Sequence, residues 1–208
     1  MFDSWFFEVN SKTPWYAIPL AYIPISCYLF YMMEGTWLNA ILGWVSGVVG
    51  WSFTEYMLHR FVFHGEDVFM PYLPKSNLLY VLHFSLHGIH HAFPEDTLRL
   101  VFPPLLGHIL LYYLFLVPIT NNFPAWFSFA FMLGLLQGYQ TYDCFHYFLH
   151  HSTPAEGTYT KEMKVYHMQH HYKYGLTGFG VSNKFWDFVF GTEIKMKVKP
   201  PTSYSKDE

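Results

Sequence analysis

Charged residues are distributed along this chain in blocks. Between Pro14 and Met33 there is no Asp, Glu, Lys or Arg, Glu34-Gly-Thr interrupts, and Trp37 to Thr54 is uncharged again. Leu100 to Tyr142 carries none either, and Pro118-Ile-Thr-Asn-Asn-Phe-Pro124 divides that run into halves. A helix rises about 1.5 Å per residue and needs about 20 apolar residues to cross a hydrocarbon core. The pattern therefore predicts four spanning helices at about 14–33, 35–56, 100–117 and 124–145, paired into two hairpins. Between and after the hairpins the chain is more polar. A connection over 66–82, a helix over roughly 159–172 and an amphipathic interfacial piece at Lys184 to Phe190 are expected there. Residues 1–13 form an N-terminal segment, 14–193 a single membrane domain and 194–208 a solvated tail.

Composition supports this reading. Charged residues are 13% and aromatics 22% of the 208 residues, a membrane protein's distribution. Trp15, Tyr16 and Trp37 stand where interfacial aromatics belong. Cys27 and Cys144 both lie in apolar segments, so no disulfide is expected. The acidic N-terminal residues lack the basic n-region of a signal peptide and the arginines of a transit peptide. No KDEL-type sequence or lipidation box ends the chain.

Two hairpins place the ends of the second and fourth helices on one membrane face with the polar segments. Arg60, Lys75, Arg99, Lys161, Lys164, Lys173 and Lys184 share that face, which the positive-inside bias makes cytosolic.

Eleven of the thirteen histidines occupy four short segments on that same side. They are His59 and His64; His83, His87, His90 and His91; His146 and His150; and His167, His170 and His171. In a helix, positions 83, 87, 90 and 91 fall at i, i+4, i+7 and i+8, on one face of about two turns. His64 lies five residues after His59, so joining the same site needs a bend or a helix end, with Gly65 as the stop. His108 falls within the third span and is expected to face the bundle interior through an interhelical hydrogen bond. His151 is an accessory neighbour of the site.

Imidazole suits iron, copper, nickel or zinc, and eleven could serve two ions. Glu55, four residues before His59, and Asp143, three before His146, could orient those rings by accepting the distal N–H. A histidine-rich dimetal site without cysteine ligands points to dioxygen activation more than to hydrolysis, which needs three ligands, an open position and a base. No GxSxG, Walker loop or GxGxxG is present, so serine hydrolysis, nucleotide-driven transport and a built-in nicotinamide or flavin site lack support, and electrons must come from another protein. With a net charge of −3 and few basic residues, nucleic-acid binding is excluded.

These residues resemble the fatty acid hydroxylase/sterol desaturase superfamily, and within it the fatty acid 2-hydroxylases. The resemblance is carried by Glu55-Tyr-Met-Leu-His-Arg-Phe-Val-Phe-His64, Leu82 to His91, Arg99-Leu-Val-Phe-Pro-Pro104, Tyr142 to His150, Tyr166-His-Met-Gln-His-His171 and Gly178 to Asp187. It implies an all-α membrane protein whose cytosolic-side helical cap holds the dimetal centre, with all eleven clustered histidines as ligands and iron, or zinc in its place, as metal. It further implies an endoplasmic-reticulum enzyme that inserts one oxygen atom from O2 beside the acyl carbonyl of a fatty acid or ceramide. About a dozen residues precede the first span, where many members carry a fused haem domain, so a separate cytochrome b5-like donor is implied. Two other readings stand beside this one. The same site could serve a sterol or another lipid in a related hydroxylase or desaturase. Alternatively the chain could be a non-catalytic subunit of a larger membrane complex, with the mitochondrial inner membrane as a possible address.

Overall fold

A computed structural model describes residues 3, 5–65, 72–73 and 76–195. Those residues are helical or irregular, with no strand among them. α1 (Trp5–Asn10) and α2 (Ala17–Tyr31) precede α3 (Trp37–Met57), which runs directly into a π turn (Leu58–Phe63). α4 begins at Asn77–His83, passes through a second π turn (Phe84–Gly88) and ends in Ile89–Ala92. α5 is Pro104–Asn122, with a π turn at Tyr112–Leu116. α6 (Ala125–His151), α7 (Tyr159–Tyr172) and α8 (Phe185–Phe190) complete the chain. Of the expected connection over 66–82, residues 66–71, 74 and 75 lie outside the described residues, while Asn77 onward is already helical, so the connection ends earlier than expected. The tail from 196 onward also lies outside the described residues.

Each expected span coincides with a helix over most of its length, but the ends differ: α5 begins at Pro104 and continues through Pro118 to Asn122, so the turn is shorter than the polar run suggested, and α6 runs on to His151. Proline at the start of a helical turn loses no hydrogen bond it would otherwise make, which is why Pro118 is tolerated after the π turn. Among the described residues, Pro104–Asn122 is the one helix both long and apolar enough to cross a membrane. α2 is apolar but 15 residues long, while α3 and α6 are longer and more polar.

α6 is the axis of the molecule. Ala130, Met132, Leu133, Leu135, Leu136 and Tyr139 are buried along it, against Ile18 and Tyr22 of α2 and Trp51 of α3. Its contact with α3 is made close by glycine on both sides. A Cβ on Gly134 would lie 2.0 Å from the Trp44 carbonyl oxygen, and one on Gly47 2.0 Å from that of Phe131. Gly43 and Gly47 on α3, and Gly134 and Gly138 on α6, each form a G-x-x-x-G pair, which lets two backbones approach where side chains would hold them apart. Trp44 Nε1 donates to Gln137 Oε1 across the same contact (2.7 Å). This crossing matters for the site, because the ends of these two helices carry His59, His146 and His150.

The N-terminal helix is fixed by Arg99. Its guanidinium donates to Glu8 Oε1 (2.6 Å), Asp96 Oδ2 (2.5 Å) and Ser11 Oγ (3.1 Å), and the Thr13 N–H donates to the Leu98 carbonyl (2.6 Å). Hydrogen bonds to charged groups contribute about 1.5–3 kcal/mol. Arg99→Ala is therefore expected to release α1 while leaving the bundle intact, and limited proteolysis should reveal new cleavage within residues 5–13.

Candidate metal centre

Ten of the eleven clustered histidines come together as two groups of five. The first holds His59, His64, His87, His91 and His170; the second holds His90, His146, His150, His167 and His171. Within each group the ligand atoms all lie within 4.8 Å of one another. The groups adjoin: the His91 and His171 rings stack at 4.1 Å, and those of His167 and His170 lie 5.9 Å apart.

The π turns explain the grouping. In a π turn the hydrogen bond runs from i to i+5, and the His64 N–H donates to the His59 carbonyl (3.1 Å). Residues five apart therefore share a face, and the two rings sit 5.0 Å apart. The expected bend or helix end between His59 and His64 is replaced by this widened turn. In α4 the π turn between His83 and Ile89 changes the expected single face. His87 and His91 enter the first group and His90 the second, whereas His83 belongs to neither and places Nε2 2.8 Å from the Phe63 carbonyl. α7 serves both groups, with His170 in the first and His167 and His171 in the second.

The donors suit a cation. Several Nε2 atoms face each other at hydrogen-bond distance: His146 and His167 (2.9 Å), His150 and His167 (2.9 Å), His64 and His170 (3.0 Å), and His59 and His87 (3.2 Å). His90 Nε2 and His91 Nε2 are buried with no protein partner among the described residues. Burial, reinforced by neighbouring imidazoles, pushes His64 down to about 2 and His91 to about 3, and burial takes His170 to about 4. His59, His87, His90 and His167 are held well below their ordinary value for the same reasons. The rings are therefore neutral near pH 7, and their lone pairs are available without loss of a proton. Several buried Nε2 atoms converge in each group, and a single bound ion would satisfy their lone pairs together, so the residues fit a metal pair.

The two expected carboxylate partners work elsewhere. Glu55 does not meet His59: its Oε1 accepts from the Val181 and Ser182 N–H groups (3.0 and 2.7 Å), and Oε2 from the Ser182 hydroxyl (2.6 Å). His59 Nδ1 instead donates to the Phe179 carbonyl (2.5 Å). Asp143 accepts from the Phe102 N–H (3.3 Å) and so anchors the start of α5, not His146. The reason is competition, because buried backbone N–H groups of the crossing segments reach these carboxylates first. Sequence reasoning passed over Asp187, which is buried and accepts from the Phe179 and Gly180 N–H groups and the Thr192 hydroxyl. Burial pushes its carboxyl above the usual range, against these hydrogen bonds. Its only sequence signal was its place at the end of the Gly178–Asp187 stretch.

His108 faces inward as expected but bonds within its own helix, with Nδ1 donating to the Pro104 carbonyl (2.8 Å); its interhelical contact is a stack on Tyr22 at 4.5 Å. His151 packs against Tyr147 at 4.6 Å beside the second group. Both cysteines are free. A cleft of about 310 Å³, lined by Phe63, His64, His87, Gly88, His91 and Leu176 among others, opens over the first group.

The chain is 35% identical over 223 residues to the fatty acid 2-hydroxylase of Mus musculus, covering 96% of this chain and 58% of the relative. It is 40% identical over 191 residues to the ceramide very long chain fatty acid hydroxylase of Saccharomyces cerevisiae, covering 91% and 48%. To a dihydroceramide fatty acyl 2-hydroxylase of Arabidopsis thaliana it is 40% identical over 194 residues, covering 92% and 78%. The chain thus spans about half the length of the mouse and yeast relatives. Among solved structures it matches full-length scs7p, of which the hydroxylase domain alone is visible, with TM-score 0.85 and 39% identity, covering 93% of this chain and 71% of that one. A family model described as fatty acid hydroxylase matches residues 44–192, and with relatives this similar over nearly the whole chain, the protein belongs to the fatty acid hydroxylase family.

Proposed function

We propose that this chain is a membrane fatty acyl 2-hydroxylase that inserts one oxygen atom from O2 at the carbon beside the acyl carbonyl of a fatty acid or a ceramide N-acyl chain. The observation that carries the proposal is the pair of adjoining five-imidazole groups inside a fatty acid hydroxylase domain. The relatives named above as fatty acid 2-hydroxylase and dihydroceramide fatty acyl 2-hydroxylase supply the substrate class and the position of attack.

His59, His64, His87, His91 and His170 would hold one ion, and His90, His146, His150, His167 and His171 the other. His83 supports the first site from outside, through its contact with the Phe63 carbonyl at the end of the π turn. Two iron ions, when bound, would supply the redox chemistry that lets O2 react at an acyl C–H bond. The protein's part is to hold neutral donors in fixed positions, bury them away from bulk water and leave a cleft over the first group. In this account a cytochrome b5-like donor supplies the electrons.

The bilayer placement rests on exposed apolar side chains. Leu20 and Phe30 on α2, Leu38 and Ile41 on α3, and Leu105 and Tyr113 on α5 all face outward, a surface that water would not favour. In our reading α2, α3, α5 and α6 cross the membrane as two hairpins, with the histidine groups on the cytosolic face of the endoplasmic reticulum.

Lipid extracts from cells with and without the protein test this reading. The expected result is a gain of one oxygen atom in ceramide or free fatty acids, placed at C2 by fragmentation. An unchanged acyl profile with an altered sterol profile would replace it with a sterol-modifying activity.

A further inference from the structure

We propose that the two ion sites are unequal, and that Glu55 and Asp187 are positioning residues for the first of them. The inference rests on the dimetal reading given above. Two imidazoles of the first group are aimed by backbone carbonyls. His59 Nδ1 is 2.5 Å from the Phe179 carbonyl and His170 Nδ1 is 2.8 Å from the Thr177 carbonyl. A carbonyl can only accept, so each Nδ1 carries the proton and each Nε2 keeps its lone pair toward the group. Both carbonyls belong to one stretch, residues 177–182, which is held from two sides. Glu55 on α3 takes the N–H groups of Val181 and Ser182, and Asp187 on α8 takes those of Phe179 and Gly180. Gly180 fits this close turn because a Cβ there would lie 2.0 Å from the Asn183 carbonyl oxygen.

The second group lacks such a frame. The distal Nδ1 atoms of His150, His167 and His171 are buried without a partner among the described residues. A hydrogen bond to the distal nitrogen of a ligating histidine fixes its tautomer and orientation and raises its basicity. The first site should therefore hold its ion more tightly than the second. Neither carboxylate touches a histidine; each acts through the backbone of residues 177–182.

The test uses the full chain in detergent, loaded with zinc and dialysed against graded free zinc set by a chelator, with zinc per chain read by elemental mass spectrometry. The wild type should release its two ions at different free-zinc levels. Glu55→Ala and Asp187→Asn should weaken the tighter ion about 10–100-fold and leave the other unchanged. Glu55→Gln should retain the tight ion, since its amide oxygen can still accept the two N–H groups while its NH2 meets the Ser182 hydroxyl. His150→Ala should give the mirror pattern, losing the weaker ion. If Glu55→Ala does not fold, Asp187→Asn carries the test. Weakening of both ions together, or of neither, would overturn the inference while leaving the dimetal reading in place. A wild-type protein that binds no zinc would overturn both.

Discussion

Replacing His167 with alanine is expected to lower acyl hydroxylation by more than about 100-fold, because removing even a group that only supports a ligand costs about 10–100-fold. His167 is the hub of the second group. Its Nε2 lies 2.9 Å from those of His146 and His150 and 3.0 Å from that of His171, and its side chain is fully buried. Alanine leaves four donors and an opening where the fifth stood. The loss should appear as about one metal ion fewer per chain by elemental analysis, with the protein still monodisperse in detergent. The fold should survive because the ring packs among other imidazoles and not within the apolar core around α6. Wild-type activity in His167→Ala would mean that the second group is not part of the reaction centre.

Gly134→Ala is expected to be among the most damaging single methyls that can be added to the bundle. The new Cβ would stand 2.0 Å from the Trp44 carbonyl oxygen and 3.0 Å from the Val48 nitrogen, both of them backbone atoms that cannot rotate away. Overpacking costs about 1–3 kcal/mol where side chains can yield, and a backbone clash belongs at or above the upper end. Separating α3 from α6 also separates His59 from the end of α6 that carries His146 and His150. The melting temperature and metal content should therefore fall together. Gly175→Ala is the matched control, since its nearest neighbour is the His170 carbonyl oxygen at 3.9 Å. It should fold like the wild type, and equal damage in both variants would refute the close-crossing account.

These residues also show what the chain's letters could and could not convey. Uncharged runs and histidine spacing were enough to place the helices and to bring ten imidazoles to one end, because burial and ligand convergence both act through periodicity. The division into two groups was not legible. It depends on π turns after Met57 and His83, and periodicity arguments assume 3.6 residues per turn. For the same reason His83 looked equivalent to His87. Glu55 and Asp143 were expected to orient His59 and His146, but they accept chiefly from backbone N–H groups of segments distant in sequence, which leave little side-chain signature. The G-x-x-x-G pairs of α3 and α6 are legible in the sequence. They forecast which two helices pack most closely, and hence how the histidine-bearing ends are held together.

The most direct measurement is hydroxylation by the purified, iron-loaded chain, supplied with ceramide or fatty acid, a cytochrome b5-type electron donor and isotopically heavy O2. The account predicts a 2-hydroxy acyl product carrying one heavy oxygen atom. Folded protein with both metal sites filled that yields no such product, or a product whose oxygen comes from water, would contradict it.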